Sequence, residues 1–573
     1  MAFLNKYKNN IFLIVLLISL PAFFALLKPG YWNMHDDMQL IRQLQLEKCI
    51  LDGQIPCRWT PDLGYGYGYP LFNFYPPMPY IVGQIFRTLG FSFIWSVKLT
   101  AILQIYLCAL FMYLLALKIS NKWGAILASI FYTYAPYHAV NIYVRGAMNE
   151  AWAAVFFPLI FLFSLKLIKK NNLFNFILLS LSLTGLLLSH NPMALTFAPI
   201  LVIWCLYWLY HQKSLYKIKQ YIILGLSGLF SLLLSAFYTL PVLVESKLVQ
   251  IESMFENYYH YSVHFTSIYQ LFISNFWGDG PSVWGQADKM SFMIGYLHWL
   301  IPLILLIFII FKSIQKKKIK SKYILPFLII TLGFFTAFMT HERATFIWKI
   351  FPFIQKIQFP WRFLNHTSFL LPLSLAFLPT LSKEIISKKK IRYQIFIGIS
   401  LLLFILNINY FKPVTSGPIT DAQKFSGLAW TNQITSGIYD YLPKTASTAA
   451  KAPAKDYIDL VEPSETVYVL SGQKKGSDWM FFNLNLDRRC VVTLAQLYFP
   501  EFEIFNNGQK IDYQVEPELG RISLNLDRGD HQIYLKFRNT PIRTFSNFIS
   551  FLAWFLVFIF FTKPLWQKLI SKK

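Results

Sequence analysis

The sequence predicts a mainly α-helical, polytopic membrane protein of about twelve spans, with a small extracytoplasmic β-sandwich domain near the C-terminus. Of the 573 residues, 55% are hydrophobic and only 14% are charged, whereas a soluble globular protein carries about 25% charged residues. The apolar residues form runs of about 20, the length that a helix needs to cross a hydrocarbon layer. Basic residues collect between these runs. Together these observations exclude an ordinary soluble globule.

The apolar runs predict twelve crossings, so that both termini lie on one side of the membrane. The predicted spans are residues 11–27, 97–117, 123–140, 151–168, 174–189, 192–210, 221–243, 293–311, 323–339, 367–382, 394–411 and 546–562. No Ala-x-Ala-like cleavage site follows the first run, so we expect it to remain as a helix rather than to be removed as a signal peptide.

The distribution of charge orients these crossings. The segments on the side of the termini hold 25 of the 53 Lys and Arg residues and a single acid, Glu384. Such an excess is typical of cytoplasmic loops, so we expect a plasma (inner) membrane protein with both termini in the cytoplasm. The net charge of +25 is therefore explained by membrane topology, and no nucleic-acid partner is expected.

The predicted domains follow from the loops. Residues 1–411 form a transmembrane domain whose first outer loop is 28–96, residues 412–545 form an extracytoplasmic β-rich domain, and residues 546–573 form the last helix and a cytoplasmic tail. Alternating apolar residues and an Asn507-Gly508 turn predict the β-strands. Residues 38–51 and 80–89 have helical periodicity and predict helices on the membrane surface. Whether Cys49 and Cys57 are bridged does not follow from their spacing.

The first outer loop begins with two adjacent carboxylates, Asp36 and Asp37, which follow His35. Partial desolvation and mutual repulsion raise the pKa of one such carboxylate toward the range in which it accepts a proton from a hydroxyl group. The pair therefore predicts a catalytic base beside a substrate-binding histidine, or else a solvated helix boundary. Because successive side chains diverge, we expect only one of the acids to face a site.

Two further groups stand at the outer ends of predicted spans. Glu150 either completes a catalytic carboxylate cluster, with Arg145 binding substrate, or forms a local ion pair with Arg145, which if exposed contributes about 0–1 kcal/mol. His190 and Asn191 form a turn between two spans. This turn either binds a substrate phosphate and moves a proton, or is a polar turn without function.

Basic residues on the outer face run against the general charge trend. Trp361 and Arg362 lie just before the tenth predicted span, with Arg343, Lys349 and Lys356 upstream. An arginine offers planar, bidentate donors to phosphoryl oxygens. The pattern indicates that Arg362 binds a lipid-linked phosphate, the alternative being that these side chains reach lipid headgroups.

The loop from Gly278 to Phe292 combines flexible, aromatic and acidic residues. It resembles a lid, in which Asp279 and Asp288 would hydrogen-bond sugar hydroxyls while aromatic rings stack on the sugar, although membrane anchoring by Trp277 and Trp284 explains the same composition. The sequence contains no Walker loop, GxSxG, HExxH or CxxC motif, so no soluble cofactor is expected. The need for a divalent metal is left open.

The layout resembles that of the GT-C class of integral-membrane glycosyltransferases. The shared features are an uncleaved first helix, an acidic pair in the first outer loop, many spans and an outer C-terminal domain. Separate motifs resemble a group of uncharacterised bacterial membrane proteins labelled as related to 6-pyruvoyl-tetrahydropterin synthase or as YfhO-like. These motifs are HDD, GQIPCRW, GYGYP, FNFYPP, RGAMNE, SHN, DKMSF and FPWRF. Arg58 and Tyr75 fall in two of them, so substrate contacts are expected there.

The GT-C resemblance implies a polyprenyl-phosphate-linked sugar as donor and transfer to an extracytoplasmic glycan, lipid or protein, with membrane lipids as further partners. By that resemblance Asp36 or Asp37 deprotonates the acceptor, and Arg362 and His190 stabilise the departing phosphate. A one-step displacement would invert the sugar carbon. Two rival functions are a transporter or flippase for lipid-linked glycans and a non-catalytic cell-envelope assembly protein.

Overall fold

The computed structural model describes residues 8–213, 217–283, 288–317 and 320–570. These described residues are mostly helical (62%), and the chain forms two compact units. The first unit comprises Met1–Asp37, Ile94–Leu229 and Phe255–Ile419, and the second comprises Met38–Phe93, Phe230–Met254 and Thr420–Lys573. Each unit is built from three separate segments of the chain, whereas the predicted domains are continuous segments. The predicted domain boundaries stay a prediction.

Seven helices in the described ranges are long and apolar enough to cross a membrane. They are Phe93–Ile119, Met148–Lys169, Asn191–His211, Tyr296–Gln315, Ser321–Phe338, Lys389–Phe411 and Pro541–Lys563. The pair Ile218–Leu234 and Ala236–Leu248, which is bent by 79°, raises the number to eight if it is one span. The predicted count of twelve is therefore not confirmed, and the side on which each loop lies stays a prediction.

The other predicted spans coincide with shorter or broken helices. Two apolar helices, Ile11–Leu27 and Leu173–Ser189, fall below the length of a span. The run 123–140 divides into a helix at Lys122–Thr133, a turn of helix at Pro136–Ala139 and a π-helical turn at Val140–Val144. The run 367–382 divides into Leu364–Ser374 and shorter turns. Continuous apolar sequence thus does not produce continuous helix here.

Side-chain caps fix where several helices of the first unit begin. The Asn121 side chain accepts the N–H groups of Trp123 and Gly124 at the start of the helix Lys122–Thr133. Asn172 accepts the N–H of Asn175 in the same way. Such caps satisfy N–H groups that have no partner within the helix. A two-stranded ladder, β1 (Tyr31–Trp32) with β2 (Thr415–Ser416), completes the first unit.

The second unit contains the predicted C-terminal β-region as two antiparallel sheets. Their strands are β3 Ile458–Glu462, β4 Tyr468–Lys475, β5 Trp479–Leu486, β6 Cys490–Leu497, β7 Phe502–Asn506, β8 Gln509–Ile511, β9 Gln514–Val515, β10 Arg521–Leu526 and β11 Gly529–Phe537. The strand orders are β3-β6-β10-β9 and β4-β5-β11-β7-β8. Buried side chains of both sheets, such as Phe482 and Val492, share one core, as expected of a sandwich.

The same unit includes most of the first outer loop. A disulfide joins Cys49 to Cys57, and Trp59 packs edge-on against Phe502 of β7, with ring centroids 5.1 Å apart. The predicted helix at 38–51 is present as Gln39–Leu51 and buries eight of its 13 residues, while its position at the membrane surface stays a prediction. The helix Met78–Thr88, by contrast, leaves Ile81 and Ile85 exposed.

Candidate functional site

The candidate site of the first unit is centred on the Glu150 carboxylate, in the first turn of the helix Met148–Lys169. Its Oε1 accepts a hydrogen bond from the Tyr137 hydroxyl at 2.7 Å. Its Oε2 accepts one from Arg145 Nη1 at 2.8 Å and lies 3.4 Å from Arg362 Nε. Only 1% of the Glu150 side chain is exposed, so one buried carboxylate faces two guanidinium groups.

The backbone before this helix brings Arg145 back to Glu150. A π-helical turn at Val140–Val144 ends at Arg145, whose N–H donates to the Val140 carbonyl at 2.8 Å. Gly146 follows with a φ of +67°, and a Cβ there would lie 2.3 Å from Met34 Sδ. Only glycine adopts this conformation at no cost. Such π-helical turns occur frequently at functional sites.

Arg362 and Trp361 enter the site from a 3-10 turn at Pro360–Phe363. Arg362 Nη1 donates to the carbonyl of Ile357 at 2.6 Å and to the side chain of Gln358 at 2.9 Å. The Arg145 guanidinium lies over the Trp361 ring, 4.5 Å from its centroid, a cation–π contact. The two arginines are thus held in fixed orientations.

The predicted acid pair lies beside these arginines. The Asp36 N–H donates to the Arg145 carbonyl at 2.9 Å, and the His35 N–H donates to the Val144 carbonyl at 3.0 Å. The Asp36 side chain is exposed, while Asp37 is half-buried. The negative charge of Asp36 favours the protonated form of both Arg145 and Arg362 and so acts to raise the pKa of each. The structure therefore brings Asp36, Glu150 and the two arginines together.

Burial and neighbouring charges set the protonation of the basic groups. Burial is the largest single effect on Arg145 and lowers its pKa, but Glu150, Tyr137 and Asp36 together outweigh burial, so the pKa lies above its ordinary value. Burial lowers the pKa of Arg362 below its ordinary value, with Glu150 opposing the shift. For His190, burial and then the charge of Arg362 lower the pKa to about 3. The site at neutral pH thus has charged arginines and a neutral histidine.

The remaining predicted residues of the first unit have structural contacts. His190 Nδ1 accepts the Met193 N–H at 3.2 Å and caps the helix that begins at Asn191. His35 Nε2 donates to the Asp279 carbonyl at 2.6 Å. Asp288 accepts hydrogen bonds from the Gln270 side chain and the Val283 N–H, each at 2.7 Å. Trp284 lies outside the described residues.

Arg58 and Tyr75 belong to the second unit. Arg58 donates to the Asn73 side chain at 2.9 Å, to the Phe237 carbonyl at 2.9 Å and to the Asn547 side chain at 2.7 Å. The Tyr75 hydroxyl accepts from Arg42 at 2.8 Å. Both predicted substrate contacts are therefore engaged by side chains of their own unit.

Sequence reasoning missed three residues of the site. Tyr137 donates to Glu150, Asn141 Oδ1 accepts from Arg145 Nη1 at 2.5 Å, and Asn365 Nδ2 donates to the Glu150 carbonyl at 3.2 Å. Each lies in or beside an apolar run without a motif around it. The polar character of Asn141 and Asn365 at the edges of such runs was the one available signal, because buried polar groups need partners.

No group of three or more His, Cys, Asp or Glu side chains that could hold a metal occurs among the described residues. The arrangement is suited instead to binding an anion. Arg145 and Arg362 present two guanidinium groups side by side at Glu150, each held through hydrogen bonds of its Nη1. Guanidinium groups form strong, charge-assisted hydrogen bonds to phosphoryl oxygens.

Comparison with known proteins gives a sequence relative without an assigned function. No family model matches the chain. An uncharacterised protein of Lactococcus lactis subsp. cremoris (strain MG1363) is 23% identical over 340 residues, which are 56% of this chain and 52% of that protein. The chain thus spans about half the length of this relative. The resemblance to YfhO-like proteins stays a prediction.

Among solved structures, crystal structures of the Archaeoglobus fulgidus oligosaccharyltransferase are similar to this chain. The form tethered with an acceptor peptide has a TM-score of 0.42 at 13% identity, covering 80% of this chain and 61% of that one. The apo form has a TM-score of 0.41 at 12% identity, with coverage of 80% and 62%. These TM-scores lie below 0.5, so no residue correspondence is drawn from them, and the chain spans about three fifths of the archaeal protein.

Proposed function

We propose that this chain is a membrane glycosyltransferase of GT-C type that moves a sugar from a polyprenyl-phosphate donor to an extracytoplasmic acceptor. The observation that carries the proposal is the position of Asp36, whose N–H donates to the Arg145 carbonyl at 2.9 Å, beside the two arginines whose guanidinium groups face Glu150. A proton acceptor and a pair of phosphate-binding groups are the two components that this transfer requires.

The arginines supply the anion-binding half of the site. Arg362 is held by Ile357, Gln358 and Glu150. As the bond between sugar and phosphate breaks, negative charge develops on the departing phosphate oxygen. Donors that are already oriented stabilise such charge without reorganisation, and this stabilisation commonly contributes more to catalysis than any other single effect.

Asp36 supplies the basic half of the site. It is exposed and therefore accessible to an acceptor hydroxyl or amide. In the proposed step the acceptor oxygen or nitrogen forms a bond to the sugar carbon, the bond from that carbon to phosphate breaks, and the acceptor proton passes to the Asp36 carboxylate. A positioned base contributes about 10²- to 10⁴-fold. A single displacement inverts the configuration of the sugar carbon.

Glu150 has a different role in this proposal from the catalytic role predicted from the sequence. Both of its carboxylate oxygens already accept hydrogen bonds, from Tyr137 and Arg145. A buried carboxylate with these partners is a poor proton acceptor, because its neighbours stabilise the ionised form. We assign it to holding the two guanidinium groups in place.

The experiment that tests the proposal is a transfer assay. Purified protein in detergent is incubated with a panel of radiolabelled polyprenyl-phosphate sugars and candidate acceptors, and wild type is compared with Asp36→Asn and Asp37→Asn. We expect Asp36→Asn to lose about 10²- to 10⁴-fold in rate, with a smaller effect of Asp37→Asn as the matched control. Undiminished transfer in Asp36→Asn would contradict the proposed base.

A further inference from the structure

A segment of the first unit exposes large apolar side chains although it is too short to cross a membrane. It consists of the helix Thr345–Ile350 and the 3-10 helix Pro352–Ile357, and we call 343–357 the ledge. On the ledge Phe346 is 58% exposed, Ile350 64% and Phe353 53%. A soluble surface rarely presents a contiguous patch of this kind without a partner.

The opposite side of the ledge is firmly packed. Trp348 is fully buried, stacks on Tyr261 with ring centroids 5.2 Å apart, and donates from Nε1 to the Met339 carbonyl at 3.1 Å. Ile354 and Ile357 are buried in the same cluster. The exposed apolar side chains therefore lie on the opposite side of the ledge from this buried cluster.

The positive charges on the ledge indicate which kind of partner its apolar surface contacts. Arg343, Lys349 and Lys356 are exposed on the ledge, and one exposed acid, Glu342, precedes it. Apolar side chains interspersed with Lys and Arg are the pattern of segments that lie in the headgroup region of a membrane, where the apolar groups enter the acyl boundary and the cations meet anionic lipids.

The position of the ledge in the chain agrees with this partner. The candidate span Ser321–Phe338 ends five residues before Arg343, so if this helix crosses the membrane, the ledge begins where the chain leaves the hydrocarbon layer. We propose that the ledge lies in the headgroup–acyl boundary of an anionic leaflet, with Phe346, Ile350 and Phe353 inserted. This would hold Arg362, which lies five residues beyond the end of the ledge, near the depth of a lipid phosphate.

The test is a depth measurement on the full chain in nanodiscs, and it requires no transfer activity. An environment-sensitive fluorophore is attached at Phe353→Cys in a Cys205→Ser background, since Cys108 and Cys490 are buried. The matched control carries the fluorophore at Asn507→Cys, in an exposed hairpin turn. Quenchers are lipids brominated near the headgroup end of their chains, and aqueous iodide.

We expect at least a twofold loss of fluorescence at position 353 with brominated lipid and little quenching by iodide, with the reverse at position 507. In nanodiscs that contain phosphatidylglycerol, the additional change Lys349→Glu with Lys356→Glu should reduce the lipid quenching at 353, with less effect in neutral nanodiscs. Iodide quenching at 353 equal to that at 507 would overturn the proposal. Protection from both quenchers would also overturn it, by showing that protein covers the ledge.

Discussion

Arg145 donates to Glu150 across 2.8 Å, and the two side chains are only 8% and 1% exposed. This is the ion pair that the sequence offered as the alternative to a catalytic Glu150. Because the pair is buried, it contributes more to stability than an exposed pair would: removing one partner leaves the other as an uncompensated buried charge. The second guanidinium, at Arg362, makes the carboxylate still harder to replace.

The first prediction concerns this pair. Glu150→Gln removes the negative charge that faces two buried arginines, and we expect a loss of about 3–5 kcal/mol of stability, read as a lower unfolding temperature in detergent. The matched control is Lys510→Gln, which removes the exposed ion pair between Lys510 and Glu503 and should cost about 0–1 kcal/mol. An equal loss of stability in the two variants would show that the buried Glu150 ion pair contributes no more to stability than an exposed one.

The second prediction concerns Arg362 and the proposed transfer. Arg362→Lys keeps the positive charge but loses the planar, bidentate donor set, so we expect transfer by the folded protein to fall by about 10²- to 10³-fold. Arg343→Lys, on the exposed ledge, is the control and should keep its rate. A wild-type rate in Arg362→Lys would argue against a bidentate phosphate contact.

The third prediction concerns acid stability. The pKa of His190 is lowered by burial to about 3 in the folded chain, below the ordinary value of about 6.5. Between these values the unfolded chain binds a proton that the folded chain does not, so stability falls as the pH is lowered through this window. His190→Asn keeps a helix cap but does not titrate.

For this reason wild type should lose about 2 kcal/mol more than His190→Asn between pH 7 and pH 5. The measurement is the unfolding temperature of both proteins at the two pH values. An identical loss in the two proteins would mean that His190 is protonated alike in the folded and unfolded chains.

The fourth prediction concerns the second unit. Glu245 accepts from Arg543 Nε at 2.8 Å and from Asn73 at 2.7 Å, and Asn73 accepts from Arg58. Burial, followed by the charge of Arg543, lowers the pKa of Arg58 to about 9. Glu245→Gln leaves the buried guanidinium of Arg543 without its carboxylate partner. We therefore expect it to destabilise this unit by about 3–5 kcal/mol, measured as proteolysis of the β-region at a lower temperature. Unchanged proteolysis would contradict a structural role for the network.

Much of the site could be predicted because its charged residues lie at the ends of apolar runs. Glu150, His190 and Arg362 stand out in the sequence for that reason, and Asp36 stands out as part of an acid pair. Tyr137 and Asn365 could not be predicted, because their pairing with Glu150 is made by tertiary packing between segments far apart in sequence.

The helical and β-sheet regions could be predicted from composition and alternation, but the number of spans could not. The run 123–140 is apolar throughout, yet its helix ends at Thr133 and the next turn begins at Pro136. Proline removes a backbone donor and breaks continuous helix. Hydropathy alone treats such a run as one span. Grouping of the first-loop residues 38–93 with the β-sheets likewise depends on long-range packing.

The most direct test of the proposed site is a structure of the protein with a non-transferable polyprenyl-phosphate sugar bound in a nanodisc. We expect a phosphate oxygen about 2.7–2.9 Å from a guanidinium nitrogen of Arg362, with the sugar facing Asp36. A phosphate bound more than about 10 Å from Arg362, beyond direct hydrogen bonding, would contradict the assignment of this site to lipid-linked sugar transfer.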